Sequence, residues 1–117
     1  MKKINVFKLL IAIAIITLFS SAEAIAGDKT AEISLPSIQC GMCERTIEKA
    51  LNKVDGIVDV NVDVENKKAT VTYDDTKAYL SAIEKAITSA GYDANDKKAD
   101  ETAYKKLNSC CKLPEDR

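Results

Sequence analysis

The stretch CERTIEKALNKVDGIVDVNVDVENKKATVTY, residues 43–73, changes its hydrophobic period halfway along, and that change decides the fold. In its first part Ile47, Ala50, Leu51 and Val54 recur at helical spacing, while Arg45, Glu48, Lys49 and Lys53 take the other faces. This predicts an amphipathic helix with one buried stripe. Asp55-Gly56 ends it. From Val58 the period drops to two: Val58, Val60, Val62 and Val64 alternate with Asp59, Asn61 and Asp63, the mark of a strand with one wet face. Glu65-Asn66-Lys67-Lys68 reads as a hairpin turn into a further strand carrying Ala69, Val71 and Tyr73.

Working outward, Ala31, Ile33 and Leu35 alternate with polar neighbours up to Pro36 and predict a first strand. Downstream, Leu80, Ile83, Ile87 and Ala90 form one stripe of a second helix from about Thr76 to Ala90, with Asp74-Asp75 as its acidic lead-in and Gly91 as its C-terminal cap. A fourth, edge strand is drawn from Tyr92 to Lys97. The order βαββαβ predicts an α+β, ferredoxin-like sandwich: two helices on one face of a four-stranded antiparallel sheet. A short C-terminal helical tail follows, from Asp100 to Asn108, with Tyr104 and Leu107 facing inward.

The chain has 117 residues, 46% of them hydrophobic and 30% charged, enough for one globular domain. It has no histidine, which rules out Ser-His-Asp and Cys-His catalysis and histidine-ligated zinc or haem. A net charge of -1 gives no electrostatic reason to expect nucleic acid as a partner. Lys2, Lys3 and Lys8 precede the apolar run Leu9–Phe19, and SSAEAIAG follows, the layout of a secretory signal peptide. That run is well short of the about 20 residues a membrane-spanning helix needs. Cleavage is expected after Ala26, with Ala24 as the other small-residue site, leaving a monomer that is not embedded in the membrane. The expected organisation is a signal peptide over 1–26, one domain over 27–97 and a tail over 98–117.

Cys40-Gly41-Met42-Cys43 sits where the first helix begins. Free N–H groups and the positive end of the helix dipole favour thiolate there, below the free-thiol value of about 8.5. Two thiolates that converge on one ion select thiophilic metals, and two sulfurs without histidine suit a low coordination number better than tetrahedral zinc. A structural disulfide is the plain alternative. A periplasmic thiol-disulfide redox protein is the functional one, since CxxC at a helix start is also the redox arrangement. Against the redox reading, there is no Trp before the motif, and neither Pro36 nor Pro114 is placed to face the dithiol.

These residues resemble the heavy-metal-associated domain family of copper chaperones, copper-transporting ATPases and periplasmic mercuric-ion-binding proteins. The resemblance rests on Cys40 and Cys43 after the first strand, TIEKAL (46–51), VDGIVDVNVD (54–63) and AIEKAITSAGY (82–92), and spans about residues 30–97. Ser37-Ile38 stands where the family motif has Gly-Met. The resemblance implies an exported, non-enzymatic carrier of one soft metal ion, Hg(II) or Cu(I), with Cys40 and Cys43 as ligands. It also implies Ile38 packed beneath the loop, Tyr92 beside the metal, and delivery to an inner-membrane transporter or another metal-binding domain.

Cys110-Cys111 lies outside the resemblance. Adjacent Cα atoms about 3.8 Å apart strain a vicinal disulfide. Three readings stay open: a second thiolate site, a tail folded back to build a three- or four-sulfur site with Cys40 and Cys43, or disulfides to other cysteines. Lys105, Lys106 and Lys112 are expected to favour thiolate in the pair.

Overall fold

A computed structural model describes residues 27–117; the expected export signal lies outside the described residues. The elements are β1 (Asp28–Ser34), α1 (Gly41–Asn52), β2 (Ile57–Asp63), β3 (Lys68–Asp74), α2 (Leu80–Ser89) and α3 (Glu101–Lys105). Short 3-10 turns follow at Ser109–Cys111 and Pro114–Asp116. The strands form an antiparallel sheet in the order β1-β3-β2. Its register opposes Ile33 and Val62 to Ala69 from either side, and Ala31 and Val60 to Val71. These side chains line one face, and Ile47, Leu51, Ile83 and Ile87 from the two helices close over it, fully buried. Each such aliphatic side chain contributes roughly 1.5–3 kcal/mol by leaving water. Among the described residues no helix is long and apolar enough to cross a membrane.

Three expectations are corrected. Among the described residues the sheet has three strands, not four: where the fourth was expected, the chain turns on an isolated Ala94–Lys97 bridge. Asn95, at φ 53°, meets β1 at its last residue alone, donating its backbone N–H to Ser34 O (2.8 Å) and accepting the Ser34 N–H on Oδ1 (2.9 Å), while its Nδ2 donates to Glu84 Oε2 (3.1 Å). A left-handed residue and a side-chain acceptor interrupt the ladder that a strand would continue. Val58 does not face the core. A bulge between Ile57 and Asp59 turns it out to 57% exposure. Finally, α2 begins at Leu80 with Tyr79 as N-cap, because Asp74 closes its own turn by accepting the Thr76 N–H (2.9 Å) and hydroxyl (2.6 Å).

Candidate metal centre

Cys40 is the N-cap of α1, in extended backbone at φ -153° and ψ 174°. Its carbonyl accepts the N–H of Cys43 (3.0 Å) and of Glu44 (3.2 Å). The helix start carries Cys40, partly exposed, and Cys43, fully buried, with their Sγ atoms 3.4 Å apart as free thiols. Ile38 is buried beneath the loop, its carbonyl accepting from Lys67 Nζ at 3.2 Å. Burial pushes the Cys40 thiol up. The Cys43 N–H, the Cys43 and Cys110 thiols and the Met42 N–H together outweigh this and bring it down to about 7.

The tail folds back onto this loop. Gly91, at φ 103°, lets α3 come close: a Cβ there would stand 3.1 Å from the Ala103 carbonyl. The Asp100 N–H bonds Thr88 O at 2.9 Å, and the Asp100 side chain caps α3 by accepting from Ala103 N. Leu107 packs against the core. Asn108 Nδ2 donates to Met42 Sδ at 2.7 Å, tying the tail to the CxxC loop. Beyond it, Cys110 Sγ lies 3.6 Å and Cys111 Sγ 3.8 Å from Cys40 Sγ. Cys110 is exposed and Cys111 buried.

The expectation that nearby lysines favour thiolate in this pair is overturned. The Cys111 thiol is pushed strongly up, by burial first and then by the Cys43 thiol. Cys110 is raised by its neighbour Cys40. Crowding among sulfurs and loss of water dominate over solvated ammonium groups. Tyr92 is fully buried, and its hydroxyl faces the Cys43 and Cys111 sulfurs without meeting any partner in hydrogen-bond geometry. Burial, and then the same two thiols, push its own ionisation far above the ordinary phenol range. The structure thus brings Cys40, Cys43, Cys110, Cys111 and Tyr92 to one place. Met42, 47% exposed, contributes its sulfur to Asn108, a contact that no sequence spacing announces.

The family model described as heavy-metal-associated domain matches residues 32–93. The mercuric transport protein periplasmic component of Shewanella putrefaciens is 42% identical over 82 residues, 68% of this chain and 90% of that protein. Copper chaperone CopZ of Staphylococcus aureus (strain JH9) is 38% identical over 61 residues, 52% of this chain and 90% of that one. Among solved structures, oxidized MerP from Ralstonia metallidurans CH34 superposes with a TM-score of 0.57 at 36% identity, covering 59% of this chain and 96% of that one. The matched segment 32–93 includes Cys40, Cys43 and Tyr92 and stops short of Cys110 and Cys111.

Proposed function

The chain belongs to the heavy-metal-associated domain family, and from that premise we propose that it carries one soft metal ion, Hg(II) or Cu(I), on Cys40 and Cys43. The observation that carries this reading is the convergence of the two sulfurs, 3.4 Å apart, at the start of α1. Thiolate ligands select thiophilic ions over hard cations, and the helix start supplies N–H groups and dipole to support their charge. Cys40, partly exposed at the loop, is the sulfur a partner's thiolate reaches past first. The incoming thiolate bonds to the ion as one of the chain's own metal–sulfur bonds lengthens, so the ion passes on without being released to water.

In this reading residues 1–26 are an export signal, residues 27–97 the metal-carrying domain and residues 98–117 an appended tail. The site of action is the periplasm, in keeping with the names of the mercuric transport relatives. The recipient is a membrane transporter or a second metal-binding domain, and the chain acts as a carrier, not a catalyst. The test isolates the CxxC pair: in a chain carrying Cys110→Ser and Cys111→Ser, one Cu(I) or Hg(II) is expected to survive competition with a small thiol. Adding Cys43→Ser to that chain is expected to abolish the binding. Retention of the ion after all three substitutions would contradict the assignment.

A further inference from the structure

We propose that Cys40, Cys110 and Cys111 form a three-thiolate metal site, so that the tail closes over the ion and shares Cys40 with the CxxC pair. The three sulfurs lie within 4.8 Å of one another. The sides of their triangle are 3.6, 3.8 and 4.0 Å. The centre of a triangle with those sides lies about 2.2 Å from each corner, close to a thiolate–metal bond of about 2.3 Å. Trigonal coordination is therefore already laid out. Cys40 and Cys43, converged to 3.4 Å, would part to about 4.6 Å to hold a linear two-coordinate ion with the same bonds, whereas the three-sulfur triangle needs no such movement.

Two further observations mark this as a built site. The tail is held to the domain by contacts that involve no cysteine, Leu107 against the core and Asn108 on Met42 Sδ, and is braced within itself by Tyr104, whose hydroxyl donates to Asp116 (2.7 Å) and accepts the Leu113 N–H (2.9 Å). The Tyr92 hydroxyl, fully buried and unpartnered, faces Cys111 and Cys43. A buried donor without an acceptor is unusual. It gains one when the neighbouring sulfur becomes a metal-bound thiolate, whose charge it then stabilises from outside the metal's own ligands. As each metal–sulfur bond forms, that S–H gives up its proton to water, and the oxidation state of the ion does not change.

The proposal rests on the chain being a soft-metal carrier and adds that the tail supplies two further sulfurs beside Cys40, those of Cys110 and Cys111, which a partner must displace. The probe is one equivalent of Cu(I), which accepts two or three thiolates, added to the reduced mature protein. Sulfur coordination is counted by X-ray absorption at the copper edge. The expected counts are three in the unaltered chain, three in Cys43→Ser and two in Cys110→Ser/Cys111→Ser. The double substitution should also weaken Cu(I) binding on the order of 10²-fold, the usual scale for losing a tethered contact. Cys110 is exposed, so Cys110→Ser alone folds normally and should itself lower the count. A count unaltered by the double substitution, or loss of copper from Cys43→Ser alone, would overturn the three-thiolate site. Failure of the double variant to hold any copper would instead sink the CxxC reading.

Discussion

Replacing Tyr92 with Phe removes one oxygen atom, and the proposed site gives that atom opposite effects in the metal-free and metal-bound protein. Without metal, the hydroxyl is fully buried and lacks a hydrogen-bond partner. A buried unpaired polar group costs about 1–3 kcal/mol. Tyr92→Phe should therefore stabilise the reduced, metal-free protein by about 1 kcal/mol, raising its Tm by about 4–8 °C for a domain of this size. In the metal-bound state proposed above, the same hydroxyl is expected to donate to a charged sulfur, a bond worth about 1.5–3 kcal/mol. Its loss, added to the penalty relieved in the metal-free state, should weaken metal affinity by about 2.5–4 kcal/mol, on the order of 10²-fold. The assay is thermal unfolding by circular dichroism of both proteins, metal-free and loaded with Cu(I), together with a competition titration. A metal-free Tyr92→Phe protein that melts below the parent would refute the reasoning, since that result requires a hydroxyl already satisfied within the fold.

Other outcomes follow from the same structure. Gly91→Ala places a Cβ 3.1 Å from the Ala103 carbonyl at φ 103°; it should cost about 1–3 kcal/mol and speed amide exchange across α3, read by hydrogen-exchange mass spectrometry. Asp74 is held below the ordinary carboxylate range by the Thr76 hydroxyl and N–H, and Asp63 by the Asn66 side chain and N–H. Depressed values mean that the stabilisation is present above the ordinary Asp value of about 3.9 and is lost as pH falls through the folded values. Asp63→Asn/Asp74→Asn should then flatten the acid limb of a urea-midpoint profile between pH 5 and pH 2, on the order of the range over which such groups titrate. Cys40, with its pKa lowered to about 7, should be alkylated first in the metal-free protein, at a rate that rises through that pH. Cys110 should react more slowly although it is more exposed, because Cys40 raises it. Peptide mapping after brief iodoacetamide treatment checks both.

The alternation of Val60 and Val62, the stripe of Ile47 and Leu51, and Gly91 behind the second helix were legible because each is a periodic or conformational signal local to a few residues. The placement of Cys40 at a helix start was legible for the same reason. Local patterns failed where a single residue answers to something distant or to its own side chain. Val58 continues the period-two pattern, yet the bulge that expels it is a property of pairing with β3. Asp74 resembles a helix lead-in but spends its carboxylate on Thr76. Asn95 ends a strand before it forms by turning its amide onto Ser34. The return of Cys110 and Cys111 to Cys40 spans some seventy residues of sequence and depends on Leu107, Asn108 and the close approach at Gly91. Spacing left three arrangements open for the pair, and it is the packing of the tail that brings both sulfurs to 3.6 and 3.8 Å from that of Cys40.

The central claim is tested most directly by titrating the reduced, anaerobic mature protein with Hg(II), Cu(I) and Zn(II) against a competing thiol, following stoichiometry and sulfur-to-metal charge-transfer absorption. The account predicts one tightly held Hg(II) or Cu(I) per chain. It is contradicted if no ion survives the competition while the protein catalyses disulfide exchange.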